Sequence, residues 1–295
     1  MSQNHPQNTS PAERVVYLNG SVLPRSAATL DIEDRAALFA DGVYEVIRYY
    51  QGKPFALDLH LRRLEKSLAA IDIPAGDIPQ QLARASEQLI AINQMPDAKL
   101  YWQVSRGAAA RDHAFDPNLK PTVLAIAYPV SLLNPSSPPV LVRTILHPDQ
   151  RWSECWIKSL MLLPNTLARQ RARAAGASEA IFHRDNTITE GAATNVFVVR
   201  KGEVWTHPAD HWVLPGVTRA VVIELASELG LTVHPWPVNA EQLLGADEVF
   251  LTGTTTHISA VSHIDGAVIG DGGVGPVTMQ LHEALMARVK RECLV

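Results

Sequence analysis

The spacing of apolar and polar positions changes period several times along the chain. "VVYLNGSVLP" has β-rich runs on either side of Asn19-Gly20, a pair that favours a two-residue hairpin turn. "ADGVYEVIRYYQGKPF" reads as a further strand with a turn at Gln51-Gly52. The period then lengthens, with Leu59, Leu61, Leu64, Leu68 and Ile71 at near-helical spacing. A second helix is predicted over 78–92, with Pro79 in its first turn. "KLYWQVSRG" and "PTVLAIAYPV" are strands separated by a polar loop from Ala108 to Lys120. A loop of that length in a compact domain is often functional.

Periodicity lapses over Ser131–Pro139, where proline and serine crowd together. Beyond it comes the strand "VLVRTILH", then a segment carrying Lys158. The helix "NTLARQRARAAG" is expected to start with Asn165 as its N-cap and to stop at Gly176. Short strands follow in "SEAIFHRDNTITEGAATNVFVVRKGEVWTHP", with turns at Asp185-Asn186 and Lys201-Gly202. "GVTRAVVIELASELG" reads as an amphipathic helix, "DEVFLTG" as a strand, "HIDGAVIG" as a hairpin and "VTMQLHEALMARVKREC" as a closing helix. Strands and helices do not alternate strictly, so the expected class is α/β with mixed sheets rather than a doubly wound sheet. The expected organisation is a flexible tail (1–14), a small N-terminal α/β domain (15–130), a linker (131–139) and a larger C-terminal mixed-sheet domain (140–295).

Composition narrows the choice of function. Apolar residues make up 46% of the 295 and charged residues 19%, enough to bury sizeable cores. A net charge of -4 gives no basic excess for a nucleic acid. No run approaches the roughly 20 apolar residues that span a bilayer. Two cysteines, Cys155 and Cys293, make no disulfide framework and suit a reducing compartment. The start "MSQNHPQNTSPAER" is polar and lacks the apolar run of a signal peptide. A cytoplasmic protein is therefore expected, with the glycosylation patterns at Asn8 and Asn19 as chance matches.

"GDGGVG" fits a dinucleotide-binding pattern, but the strand that should follow its helix is missing, so it reads as a turn. The histidines and cysteines show no zinc spacing, and no metal is expected. "LPGVTR" puts Gly216, Val217 and Thr218 at a helix mouth, where free N–H groups and the dipole favour an anion. "LTGTTTHIS" ends a strand in a dense group of hydroxyls that could face a phosphate. Each also reads as an ordinary cap or strand-end turn. Lys158 sits among Trp156, Ile157, Leu160, Met161, Leu162 and Leu163. A desolvated lysine there would lose proton affinity and become a nucleophile, although a snorkelling surface lysine fits the same letters. Glu190, in "TITEGAATNVF", could approach a ring closely or stand in a solvated turn.

Together, "WIKSLMLLPN", "TEGAATNVF", "LPGVTR" and "EVFLTGTTTHI" resemble the fold-type IV pyridoxal-phosphate enzymes, over nearly the whole chain from about Tyr17. That family includes D-amino acid, branched-chain and (R)-amine aminotransferases and aminodeoxychorismate lyase; the D-amino acid aminotransferases are the nearest branch. The resemblance implies a two-domain fold of that type, pyridoxal 5'-phosphate as cofactor, and Lys158 as both its Schiff-base lysine and the proton shuttle. It implies Glu190 under the pyridine nitrogen, Leu214 against the ring, and Arg63, Val217, Thr218 and Thr254 around the phosphate. Arg151 matches a polar residue near the cofactor. Tyr44, Arg111 and His113 match the D-enzymes' trap for the substrate carboxylate, the R-x-H loop coming from a neighbouring subunit; a homodimer with shared active sites follows. The implied reaction moves an amino group from D-amino acids such as D-alanine to 2-oxoglutarate or pyruvate. Branched-chain L-amino acid or (R)-amine transamination, or an aminodeoxychorismate-lyase-like reaction, are the alternatives. Ala192, Ala193 and Gly253 depart from the hydroxyl residues common in the D-enzymes.

Overall fold

The computed structural model describes residues 14–294. The expected tail falls outside these residues except for Arg14. The chain forms two compact units, Met1–Leu132 and Leu133–Val295.

The first unit holds strands β1 (Val15–Leu18), β2 (Ser21–Pro24), β3 (Gly42–Tyr50), β4 (Lys53–Pro54), β5 (Ala98–Ser105) and β6 (Thr122–Pro129), and helices α1 (Arg35–Phe39), α2 (Leu57–Ala70) and α3 (Ile78–Ile92). The strands make one antiparallel sheet in the order β2-β1-β6-β5-β3-β4. Asn19 and Gly20 take positive φ at the first hairpin, as that turn requires. Alternation along β3 and β5 sends Val43, Ile47, Tyr49, Leu100, Trp102 and Val104 to a buried face. Leu64, Leu68, Leu82 and Leu89, from α2 and α3, are equally buried. Glu45 shares the face of Val43 and Ile47, opposite Trp102 in the register, so a carboxylate lies in an otherwise apolar layer.

The second unit holds β7 (Val140–Pro148), α4 (Leu163–Ala174), β8 (Glu179–Arg184), β9 (Thr187–Gly191), β10 (Asn195–Arg200), β11 (Glu203–Thr206), α5 (Val217–Glu228), β12 (Val233–His234), α6 (Ala240–Leu244), β13 (Glu248–Gly253), β14 (His257–Ile264), β15 (Ala267–Val268) and α7 (Pro276–Val289). The sheet order is β12-β11-β10-β13-β14-β7-β8-β9, with β15 beside β14. Its pairings are mixed: β11 with β12, β14 with β7 and β7 with β8 run parallel, the others antiparallel. Ile181, Ile188, Val196, Val198, Leu251, Val261 and Leu243 build its main core. Phe182 packs with Ala168, Ala172 and Ala180 beneath α4.

One helix start departs from expectation. α4 begins at Leu163 with Pro164 in its first turn and has no side-chain cap. Asn165 lies inside that turn and donates instead to the Ala192 carbonyl at 2.8 Å. Proline's fixed φ opens the helix three residues earlier than the cap signal suggested, with Leu162 rather than Asn165 at the N-cap. "GDGGVG" forms the turn that leads into α7.

Candidate active site

In the second unit two of the candidate residues, Arg151 and Leu214, meet a third, the buried carboxylate of Glu190. Glu190 is the penultimate residue of β9 and is 3% exposed, which excludes a solvated turn. Its Oε1 accepts from Arg151 Nη1 at 2.6 Å. Its Oε2 accepts from Asn195 Nδ2 at 3.0 Å and from the Leu214 N–H at 3.1 Å. Burial pushes its carboxyl up to about 6, with Arg151 pulling the other way. Arg151 is itself divided: Asp149 takes its Nε and Nη2, each at 2.9 Å. This pair is buried rather than a surface salt bridge, since the Asp149 side chain is fully enclosed and that of Arg151 nearly so. Arg184 and Thr189 add further hydrogen bonds to Asp149 Oδ2, at 3.2 and 3.3 Å.

The same asparagine ties the carboxylate to the mouth of α5. Asn195 Nδ2 also donates to the Leu214 carbonyl at 2.9 Å. Two residues on, a Cβ on Gly216 would fall 1.9 Å from Asn195 Oδ1, so only glycine permits that approach. Gly216 is the N-cap of α5 and brings no side chain to the cap. The first N–H groups of α5, from Val217 and Thr218, therefore need another partner. Thr218 is buried there, and the Thr252 hydroxyl is buried without a hydrogen-bond partner among the described residues. Thr252 pairs with Asn195 in the sheet. Thr254 stands in the turn just beyond, half-buried, where a Cβ on Gly253 would meet the methyl of Thr194 at 3.5 Å.

Lys158 lies between β7 and α4 in an irregular segment pinned at three points. Arg151 holds Glu190, the Cys155 N–H donates to the His211 carbonyl at 2.8 Å, and Asn165 holds Ala192. The expected enclosure by apolar neighbours is only partial. Ile157 and Cys155 are buried, but Lys158 is half-buried and Met161 and Leu163 are exposed. The segment is too irregular to turn consecutive apolar side chains toward one core.

The remaining candidates belong to the first unit. Arg63, on α2, is buried and forks onto Glu45, with Nε to Oε1 at 2.7 Å and Nη2 to Oε2 at 2.8 Å. His60 Nδ1 lies 2.8 Å from the same carboxylate. Tyr44 projects from the opposite face of β3, its ring 5.8 Å from that of Tyr101. Arg111 and His113 are exposed in the 108–120 loop. Asp149, Glu45 and His60 were not singled out from the sequence. The Asp-x-Arg and His-x-x-Arg spacings were visible, but only the fold shows what they hold.

A family model for class IV amino-transferases matches residues 42–264, and the chain belongs to that family. It is an aminotransferase with pyridoxal 5'-phosphate as its cofactor. Among relatives, it is 42% identical over 277 residues to a D-alanine aminotransferase of Bacillus licheniformis, covering 94% of this chain and 98% of that one. It is 37% identical over 273 residues to a D-alanine aminotransferase of Staphylococcus haemolyticus, covering 91% and 95%. Among solved structures, a branched-chain amino acid aminotransferase of Escherichia coli superposes with a TM-score of 0.85 at 27% identity, over 93% and 94% of the two chains. The T.th. branched-chain amino acid aminotransferase, complexed with N-(5'-phosphopyridoxyl)-L-glutamate, superposes with 0.83 at 28% identity, over 95% of each.

The second unit fits the cofactor on its own geometry. Glu190 offers a buried anion to a protonated ring nitrogen, and the uncapped mouth of α5 offers N–H groups to a phosphate.

Proposed function

We propose that this chain transfers amino groups from D-amino acids, D-alanine among them, to a 2-oxo acid such as 2-oxoglutarate or pyruvate. The D-alanine aminotransferase relatives, matched over almost their full length, carry this reading. When bound, pyridoxal phosphate supplies an aldehyde for amines and a ring that accepts the substrate's electrons. Lys158 Nζ is the amine that holds the cofactor and the base that takes the substrate's Cα proton. Glu190, fixed by Arg151, Asn195 and the Leu214 N–H, keeps the ring nitrogen protonated. Leu214 packs on the ring. Val217, Thr218, Thr254 and Arg63 bind the phosphate. Tyr44, Arg111 and His113 receive the substrate carboxylate, a task suited to a guanidinium's planar fork.

The two units act as two domains, 15–130 and 140–295, joined by 131–139. The active form is a homodimer whose R-x-H loops cross to the neighbouring site. Exposed Met161, Leu163 and Leu167, beside the Lys158 segment, offer an apolar surface for that partner. Both cysteines are buried and neither is in a disulfide, which suits the reducing cytoplasm.

A spectrum of the holoenzyme tests hand and reaction together. D-alanine should shift the cofactor's absorbance while L-alanine leaves it unchanged, and borohydride should fix the label on Lys158. The structural likeness to branched-chain enzymes supports a second reading, transamination of L-leucine. Turnover of L-leucine with none of D-alanine would replace the first reading by the second.

A further inference from the structure

The loop bearing Arg111 and His113 is exposed from Arg111 to Asn118, yet its backbone is held from beneath by a buried cation. Arg35, on α1, is 4% exposed. Its Nη1 donates to the Asp112 carbonyl at 2.7 Å and, at the limit of a hydrogen bond, to that of Ala114 at 3.5 Å. Its Nη2 donates to the His113 carbonyl at 3.2 Å, and its Nε to Asp41 Oδ2 at 2.8 Å. One guanidinium thus grips three consecutive carbonyls, those of 112, 113 and 114.

The support is built in depth. Asp41 also accepts from Arg106, Nε to Oδ2 at 2.8 Å and Nη2 to Oδ1 at 3.0 Å. Arg106 donates onward to the Ile71 and Asp72 carbonyls at 2.6 and 3.2 Å. Its guanidinium lies 3.5 Å from the centre of the Phe115 ring. At the loop's stem Gly107 has φ +109°, and a Cβ there would fall 2.1 Å from the Lys120 carbonyl oxygen. The side chains of Arg111 and His113 both flank the Phe39 ring, at 5.3 and 5.5 Å. Burying two guanidiniums against one carboxylate is costly unless their donors are satisfied. An ordinary surface turn could be held by neutral donors alone. The arrangement makes sense if the loop must present its side chains in one geometry.

We propose that Arg35 is a positioning residue for substrate recognition: by clamping the Asp112, His113 and Ala114 carbonyls it preorganises Arg111 and His113 to receive the substrate carboxylate. The inference rests on the reading of Arg111 and His113 given above. It makes Arg35 a determinant of affinity for the amino acid, with no part in the proton transfers.

The test is steady-state kinetics of the holoenzyme with D-alanine, for Arg35→Leu, Arg35→Lys, Arg111→Leu and the double variant Arg35→Leu/Arg111→Leu. Arg35→Leu should raise KM about tenfold or more, with kcat changed less than about threefold and cofactor affinity unaltered. Arg35→Lys keeps the buried charge but loses the fork, and should raise KM about threefold. It carries the test if Arg35→Leu does not fold. The double variant should be no worse than Arg111→Leu, because Arg35 acts through the loop. Amide exchange over 111–115 should quicken in either Arg35 variant. A folded Arg35→Lys protein with unchanged KM, a fall in kcat at constant KM, or additive losses in the double variant would overturn the proposal. If Arg111→Leu raises KM and the Arg35 variants do not, Arg35 alone loses its role. If Arg111→Leu leaves KM unchanged, the carboxylate reading fails and this inference fails with it.

Discussion

Two glutamates are sealed from solvent, Glu45 in the first unit and Glu190 in the second, and burial raises the carboxyl of each. They end on opposite sides of the ordinary value. Glu45 meets a complete guanidinium fork from Arg63 and the ring nitrogen of His60, and these outweigh burial and hold it far below 4.5. Glu190 meets a single nitrogen of an arginine that Asp149 already occupies on two others, plus two neutral donors. Burial wins there, and the carboxyl rises to about 6. A fully matched pair suits a fixed element. An anion kept short of cationic partners suits a place where a cation is still to arrive, as a protonated ring nitrogen would. The first pair fixes Arg63 in place; under the proposed function, the second holds electrostatic potential in reserve for a cofactor.

The comparison breaks most visibly if the matched pair is cut. Glu45→Gln leaves a buried guanidinium without its counter-charge and should cost about 3–5 kcal/mol. The urea midpoint at pH 7 reads this directly, and a loss below about 1 kcal/mol would mean that Arg63 is served equally well by other groups. Glu190→Gln should behave in the opposite way. It keeps the size and the hydrogen-bonding reach but removes the charge, so turnover with D-alanine should fall about 10²–10³-fold. Stability of the cofactor-free protein at pH 8 should hold or improve. A destabilised variant with near-normal turnover would put Glu190 in the same class as Glu45.

The pH dependence of the cofactor-free protein sharpens the contrast. Glu190 binds its proton more tightly folded, at about 6, than at its ordinary 4.5. Its contribution to stability is therefore fully present below about 4.5 and is lost as pH rises through about 6. At 1.36 kcal/mol per unit, that shift amounts to about 2 kcal/mol. Relative to Glu190→Gln, the wild type should lose up to about 2 kcal/mol between pH 4.5 and 7.5 in urea denaturation. Parallel curves for the two proteins would remove the argument for an undercompensated carboxylate.

Neither the contrast nor its cause could be read from the sequence, although much around it could. The Asn19-Gly20, Lys201-Gly202 and Asp265-Gly266 turns were legible because positive φ selects so few residues, and each pair takes it. α3 was legible because its apolar spacing and Pro79 agree. Lys158, Glu190 and the α5 mouth were legible as spaced motifs, and the fold brings Glu190, Leu214 and Gly216 onto the side chain of Asn195. The partners were hidden for a physical reason. Arg151 reaches Glu190 across 39 positions, and Arg35 reaches Asp112 across 77, so no local period encodes either contact. Short α1 and α6 carry too few turns to show periodicity, and Asn165 has the letter of a cap although Pro164 before it already lies in the first turn of the helix.

Another buried carboxylate tests whether the distinction is one of degree. Glu179, on β8, is 3% exposed and lies beneath the turn that follows Glu190, accepting from the Ala193 N–H at 3.3 Å and the Thr194 hydroxyl at 3.4 Å. Its only cation among its described hydrogen-bond partners is Arg169, 3.4 Å away with a side chain 51% exposed. Burial keeps its carboxyl above the ordinary value, against the pull of Arg169 and the backbone donors. Solvent screens a cation placed like this, so Arg169→Ala should cost less than about 1 kcal/mol and shift cofactor affinity by no more than about threefold. Thermal denaturation and a cofactor titration measure both effects. A loss above about 2 kcal/mol would mean that a half-exposed arginine can match a buried carboxylate as Arg63 does, and the difference between Glu45 and Glu190 would then need a cause other than the count and burial of their cationic partners.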